Sequence, residues 1–140
     1  MKPYQKYRRQ EPDRPTTRMD ALLALLDKAL ERLDKGEAAL RAGKRTTAVS
    51  ELAKAQLIVV ALASGVRVQA DTQINMTILR LYEFAGRSLT TPSVDGIATA
   101  RTALRTLRDG FEPLRTEANQ LERSGALPAL DRLQTVLATA

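Results

Sequence analysis

The chain has 140 residues, of which 44% are hydrophobic and 27% charged, and a formal net charge of +6 at pH 7. This length and apolar content suit one domain with a single hydrophobic core. The chain contains no cysteine, which excludes disulfide bonds, thiolate metal sites and a thiol nucleophile. It also contains no histidine, the commonest general base and zinc ligand. We therefore expect neither an enzyme nor a bound metal or other cofactor.

The longest apolar run is LIVVALA, residues 57–63, which is far shorter than the roughly 20 residues that a membrane span requires. The first ten residues, MKPYQKYRRQ, contain no apolar core of the kind found in signal peptides. These two observations predict a soluble cytoplasmic protein without stable membrane insertion.

Residues 1–17 are predicted to form a flexible N-terminal tail, because this stretch contains three prolines and no helical apolar period. Most of the positive charge lies here, since residues 1–18 hold six basic residues against two acidic ones. Tyr4 and Tyr7 are two of only five aromatic residues in the chain. They can dock on an apolar groove, or they can be incidental residues of a flexible segment, and composition alone does not separate these alternatives.

Helical periodicity begins at Thr17, a plausible N-cap residue, and the first helix is expected to end near Gly43. A second helix is predicted from about Thr46 to Ser64, followed by Gly65. The residues predicted to face the core of these two helices are Leu22, Leu26, Ala29, Leu33, Gly36 and Leu40, then Leu52, Ala55, Val59 and Leu62.

A third helix is predicted from Gln69 or Asp71 to Leu89, and Ser93 can cap a fourth helix. The fourth helix keeps its apolar period past Pro113, which favours a kink in one helix over a loop between two. The expected inward residues are Ile74, Ile78, Leu81, Ala85 and Leu89, then Ile97, Ala100, Leu104, Leu107, Phe111, Leu114, Ala118 and Leu121.

Four long helices with short connections predict an all-α fold, an antiparallel four-helix bundle over residues 18–124. Residues 125–140 are predicted to add a short C-terminal helix that follows Pro128. The LIVVALA run is apolar all round, whereas a soluble helix needs only one apolar face. Ile58 and Val60 are therefore left for a second surface, which is typical of a binding protein.

Four segments in this order resemble the flagellin export chaperone family, FliS, after a short tyrosine-containing tail: LLALLDKALERL, KAQLIVVALASGV, LRLYEFAGRSL and LRTLRDGF. The resemblance covers about residues 4–120. It implies a cytoplasmic four-helix bundle that binds the C-terminal segment of flagellin, prevents premature polymerisation and keeps flagellin competent for export. It also implies a possible contact with the flagellar export gate.

The partner-binding groove is expected to involve Lys54, Gln56, Ile58, Val59, Leu62, Leu81 and Tyr82. Core packing is the competing explanation for Val59, Leu62 and Leu81, and Ile58 lies off the main stripe. Tyr82 fits both interpretations. The resemblance assigns Tyr4 and Tyr7 to an N-terminal lid over the groove.

Other functions are open at this stage. A helical adaptor with another protein client has the same sequence features. The basic tail, together with Arg101, Arg105 and Arg108 on one helix face, raises nucleic-acid binding, although a solvated arginine face is the commoner explanation. An enzyme would have to use carboxylates such as Asp27 and Asp34, which fit a solvated, ion-paired face better. We expect no nucleic acid partner, and a monomer or a homodimer.

Overall fold

The structure is a computed structural model that describes residues 16–67 and 72–125. Within these two ranges all regular structure is helical and no strand occurs. The expected all-α fold is confirmed. The elements are α1 Arg18–Arg41, α2 Arg45–Ser64, α3 Thr72–Ser88, α4 Val94–Phe111, a 3₁₀ turn Glu112–Leu114, and α5 Arg115–Arg123.

The capping residues act as their chemistry predicts. The Thr17 hydroxyl accepts a hydrogen bond from the backbone N–H of Asp20 at 3.2 Å, which satisfies one of the free donors at the start of α1. The Ser93 hydroxyl does the same for the N–H of Gly96 at 2.9 Å at the start of α4. Gly43 follows α1 with a φ of +74°, a left-handed conformation that glycine adopts without strain.

The four long helices form a ring in which α1 packs against α2 and α4, and α3 packs against the same two helices. Two inter-helical contacts show that α1 and α4 run antiparallel: Arg108 pairs with Asp27, whereas Arg101 pairs with Asp34. The core lies between the helices. Its largest fully buried side chains are Leu26, Leu33, Leu52, Tyr82, Ile97 and Leu104.

Small residues let α1 and α2 approach closely. Gly36 of α1 is buried, and a Cβ atom at this position would lie 2.7 Å from Leu52 Cδ2 of α2. Buried alanines, including Ala29 and Ala55, act in the same way because they fill little space between helix axes. The alanine-rich core stripes of the sequence thus correspond to tight inter-helical packing.

Three ion pairs at seven-residue spacing connect α1 to α4 and α5, and we call this set the α1–α4 ladder. Its members are Asp20 with Arg115 at 2.7 Å, Asp27 with Arg108, and Asp34 with Arg101 at 3.0 Å. Exposed pairs of this kind stabilise a fold only slightly, by up to about 1 kcal/mol each. Their regular spacing nevertheless favours one antiparallel register over shifted ones.

Pro113 lies inside the 3₁₀ turn, and the flanking residues Glu112 and Leu114 keep right-handed helical dihedral angles. The chain therefore continues past Pro113 in helical conformation. A single 3₁₀ turn occurs at the position where we expected a kink, and the alternative, a loop between two helices, does not occur there. Proline lacks the N–H that an α-helical hydrogen bond would need, which accounts for the tighter turn.

The expected inward stripe fails at three positions. Ile74 of α3 is 59% exposed, Leu114 is 51% exposed and Leu121 is 41% exposed. The reason for the last two is that α5 contacts α1 through its polar residues, so that its apolar residues face outward. The predicted helical period is correct there, but the predicted burial is wrong.

The predicted helix boundaries agree closely with those observed. Helix α2 begins at Arg45, one residue before the predicted Thr46, and the predicted starts of the third helix at Gln69 or Asp71 lie outside the described residues. The N-terminal tail up to residue 15 and the C-terminal helix expected after Pro128 also lie outside the described residues.

Two glycines of α4 provide a matched test of the packing. A Cβ at Gly96 would overlap the carbonyl oxygen of Ser88, a backbone atom that cannot move aside, whereas a Cβ at Gly110 meets nothing within 4 Å. We expect Gly96→Ala to lower the free energy of unfolding by about 1–3 kcal/mol. Gly110→Ala is expected to raise it by about 0.5–1 kcal/mol, since alanine favours helix. Urea titration followed by circular dichroism measures both, and equal effects would contradict the packing of α4 against the end of α3.

The end of the ladder at Asp20 predicts an acid-sensitive contribution to stability. Burial alone would raise the pKa of Asp20, but hydrogen bonds from Asn119, Arg115 and Thr17 outweigh it and hold the pKa below its usual value. A carboxyl group whose pKa is lower in the folded state stabilises the fold above the unfolded-state pKa of about 4 and loses this effect as the pH falls.

We therefore expect Asp20→Asn to destabilise the protein by about 0.5–1 kcal/mol at pH 7, and by less as the pH drops below about 4. Urea titrations of wild type and variant between pH 7 and pH 2 measure this difference. Glu83→Gln, on the exposed surface of α3, is the control and is expected to change stability little at any pH. A pH-independent difference for Asp20→Asn would contradict the account.

Candidate functional site

Helix α2 is apolar on two faces, of which the bundle covers only one. Its core face consists of Ala48, Leu52, Ala55, Val59 and Leu62, all buried. On the opposite side Val49 is 45% exposed, Leu57 is 71% exposed and Val60 is 61% exposed, and Ala53 between them is exposed as well. These four residues follow one another at spacings of four, four and three, so that they share one helix face. We call this set the outer stripe.

The outer stripe borders the seam between α2 and α3. Gln56 lies three residues after Ala53 and four before Val60, and its amide Nε2 donates a hydrogen bond to the backbone oxygen of Gly86 in α3 at 3.1 Å. A Cβ on Gly86 would lie 3.6 Å from Val59 Cγ1. This is an ordinary van der Waals distance, so α2 and α3 pack in direct contact next to the outer stripe.

Charged side chains flank the stripe on the side of α1. Lys54 has half of its side chain exposed, and its Nζ lies 3.8 Å from Glu51. Glu51 also accepts a hydrogen bond from Arg32 of α1 at 3.0 Å, and this bond is the main cause that lowers the pKa of Glu51. The stripe is therefore an apolar surface with an ionised rim.

The expected groove residues divide into three groups. Val59, Leu62 and Tyr82 are 2%, 5% and 1% exposed, so that they belong to the core and cannot contact a partner in this conformation. Their burial fits the competing explanation, core packing, and their assignment to the groove stays a prediction. Burial raises the pKa of Tyr82 to about 12, which keeps its phenol neutral.

Ile58 and Leu81 are half-buried and pack against the core with part of their surface still accessible. Lys54 and Gln56 lie next to the outer stripe, and their role as polar rim residues stays a prediction. Tyr4 and Tyr7 lie outside the described residues, so that their assignment to a lid stays a prediction.

The exposure of Leu57 and Val49 was not predicted from the sequence. The signal was present in the continuous apolar run, because seven consecutive apolar residues cover every side of a helix. The run does not indicate which of two adjacent residues faces the core, because every residue in it is apolar.

The carboxylates that an enzyme would have to use are engaged in ion pairs. Asp27 and Asp34 bind the arginines of the α1–α4 ladder, and Glu31 pairs with Lys28 at 3.5 Å and Lys35 at 3.1 Å. Across the two described ranges no group of acidic side chains could hold a metal ion. An open depression on α3, lined by Gln73, Ile74, Thr77 and Ile78, contains no charged side chain.

Two of the three arginines on one face of α4 are paired with carboxylates, and the third, Arg105, is exposed. Arg101 contacts both Asp34 and Glu37 of α1, and Arg108 contacts Asp27 and Glu112. A phosphate backbone would have to displace these carboxylates, so that the face is a poor site for nucleic acid.

Helix α2 is the one helix of the described ranges that is long and apolar enough to cross a membrane, by length and composition alone. This differs from the expectation based on the seven-residue run, because the average over the whole helix also counts its many alanines. The same helix contributes five buried residues to the core, which is the role that such a helix has in a bundle.

Together these features define a helical protein-binding module: a closed four-helix bundle with an exposed apolar stripe on one helix and ion-paired polar faces. The family model described as flagellar protein FliS matches residues 1–118. The chain belongs to the FliS family, which is a family of flagellar export chaperones. No curated protein and no solved structure matches the chain. Residues 119–140 extend beyond the family match.

Proposed function

We propose that the protein is a cytoplasmic flagellar export chaperone that binds the C-terminal segment of flagellin on the outer stripe of α2. Bound in this way, flagellin is kept from premature polymerisation and stays competent for export. The observation that carries the proposal is the exposure of Leu57 and Val60 in a bundle whose core is already complete without them. Membership of the FliS family supplies the class of client.

The energetics of such binding require an apolar surface. A segment that folds only on binding loses conformational entropy, which offsets roughly 2–5 kcal/mol of the gross interaction. Full burial of one leucine or valine side chain contributes about 1.5–3 kcal/mol. Val49, Leu57 and Val60 together can therefore compensate this cost, and an amphipathic helix lying along the groove is a common way to bury such a stripe.

Polar residues next to the outer stripe determine the orientation of the bound client. Lys54 can pair with a carboxylate of the client, because its contact with Glu51 at 3.8 Å is long and half of its side chain is exposed. Gln56 is already engaged with Gly86 and keeps the α2–α3 seam closed below the client. Ile58 and Leu81 add apolar surface at the margins, while Val59, Leu62 and Tyr82 support the stripe from the core.

The decisive variant is Leu57→Ser, since Leu57 is the most exposed large apolar residue of the stripe at 71%. We expect it to weaken binding of the C-terminal flagellin segment at least tenfold, which corresponds to about 1.4 kcal/mol. Fluorescence anisotropy with a labelled segment from the same genome measures the dissociation constant, at low and high salt.

The control is Phe84→Ser, which removes an exposed large apolar side chain, 47% exposed, from α3. It is expected to leave the dissociation constant within about threefold of wild type, because Phe84 is not part of the outer stripe. Equal losses for both variants would refute a stripe-specific site. Binding that weakens steeply with salt would indicate an electrostatic surface instead.

The N-terminal tail is proposed to act as a lid through Tyr4 and Tyr7. A lid that covers the groove lowers the apparent affinity for the client by the fraction of time for which it is shut. The doubly substituted protein Tyr4→Ser, Tyr7→Ser is therefore expected to bind the flagellin segment more tightly than wild type.

The same anisotropy assay measures this effect, with Gln5→Ser, Gln10→Ser as the control in the same tail. Unchanged or weaker binding by the tyrosine variant would show that the tail does not compete with the client. A contact with the flagellar export gate is a further part of the proposal. The sequence leaves open whether the protein is a monomer or a homodimer, and size-exclusion chromatography with light scattering measures this.

A further inference from the structure

Helix α3 borders the outer stripe of α2 and runs antiparallel to α2. Gln56 of α2 donates to the backbone oxygen of Gly86 near the end of α3. The side-chain Nδ2 of Asn75, in the first turn of α3, donates to the backbone oxygen of Arg67, just beyond the end of α2. Later residues of α2 therefore lie beside earlier residues of α3. Val60, four residues after Gln56, is consequently level with the turn of α3 that precedes Gly86.

Three exposed charged residues lie on the side of α3 that adjoins the stripe: Arg80, Glu83 and Arg87. Gly86 marks the direction of α2, because it contacts Gln56. Ala85 is buried in the core and lies about 100° from Gly86 in one sense around the helix axis. The three charged residues lie about 60–120° from Gly86 in the opposite sense. They are therefore on the side of the α2–α3 seam that faces away from the core, as is the outer stripe. We call these three residues the α3 charge row.

The charges of this row are available to a partner. None of its three side chains makes an ion pair with another residue of the described ranges. In the α1–α4 ladder, by contrast, Arg101 and Arg108 are held by carboxylates of α1. Arg105 is exposed as well, but it belongs to α4, which lies diagonally across the ring from α2. The charges that border the outer stripe are therefore those of the row, with Lys54 on the other margin.

The order of charges in the row is basic, acidic, basic, at spacings of three and four residues. It covers two helical turns, or about 10 Å. A helix that lies along the outer stripe presents its own margin to the row with the same periodicity. Opposite charges across such a margin are favourable and like charges are unfavourable, as between the helices of coiled coils. The best complement is therefore a margin with the order acidic, basic, acidic.

We propose that the α3 charge row selects the client segment, as an amphipathic helix whose margin carries two acidic residues seven positions apart with a basic residue between them. The apolar face of this helix covers Leu57 and Val60. The inference rests on the proposed function, since it takes the outer stripe as the docking surface for flagellin. Exposed ion pairs add little to affinity, so that the row determines the direction and register of the bound helix more than its strength of binding. Row and complement each carry a net charge of one unit, so that salt changes the total affinity little and mainly weakens the preference for this pattern.

Two synthetic amphipathic peptides of equal net charge test the row. They share one apolar face and differ only at the margin: the first has Glu at two positions seven apart with Lys at the third and fourth positions after the first Glu, and the second has Lys and Glu exchanged. This design works for either direction of the bound helix. At low salt, full-length wild type is expected to bind the first peptide at least about fivefold more tightly, as measured by fluorescence anisotropy.

The variant Arg80→Glu, Glu83→Arg, Arg87→Glu reverses the row and is expected to reverse the preference between the peptides. All three residues are exposed, and circular dichroism verifies that the variant keeps the fold. The matched control is Arg105→Glu, which lowers the net charge by the same two units and is expected to keep the wild-type preference.

Equal affinities of wild type for the two peptides, no binding of either, or an unchanged preference in the reversed-row variant would each overturn the proposal. The C-terminal flagellin segment separates this inference from the proposed function. The reversed-row variant is expected to bind this segment at least about fivefold more weakly than wild type, whereas Arg105→Glu is not. If both variants bind it as wild type does, the row is overturned and the proposed function stands. If wild type distinguishes the peptides as expected but does not bind the flagellin segment, the row is supported and flagellin is not the client.

Discussion

The packing of helix α2 is the constraint on which the rest of the structure depends. A four-helix bundle buries one face of each helix, and α2 meets this requirement with alanine, leucine and valine on its core side. Its outer side is also apolar, with Leu57 and Val60 among the most exposed large side chains of the described residues. The bundle therefore covers the core face of α2 and leaves its outer face exposed.

Polar contacts favour one antiparallel register of the helices in the bundle. The α1–α4 ladder neutralises two arginines of α4, and the buried Thr17–Asn119 hydrogen bond joins the start of α1 to α5. Each exposed ion pair contributes little free energy, whereas apolar burial supplies most of the stability. The ladder and the buried bond therefore act mainly on register, and they also make the arginine face unattractive for phosphate. Leu57 and Val60 of the outer stripe are the most exposed large apolar side chains of the described residues.

The sequence predicts the fold well but does not separate the core residues of α2 from its surface residues, for physical reasons. Thr17, Ser93 and Gly65 mark helix ends because capping depends on local chemistry. Periodicity fails at Leu114 and Leu121, since it reports which residues share a face and not whether a partner covers that face. Within the apolar run, the side chains of Val59 and Leu57 point about 200° apart around the helix axis, although both are apolar. Only the packing of α2 against α1 and α3 therefore determines which of them is buried.

The central claim is that the outer stripe is an apolar docking surface for flagellin. Isothermal titration calorimetry of the full chain with the C-terminal segment of flagellin from the same genome, at several temperatures and two salt concentrations, tests it most directly. The account predicts one-to-one binding with a negative heat-capacity change and an affinity that is nearly independent of salt. No binding, or binding whose affinity falls steeply with salt and which shows no heat-capacity change, would contradict it.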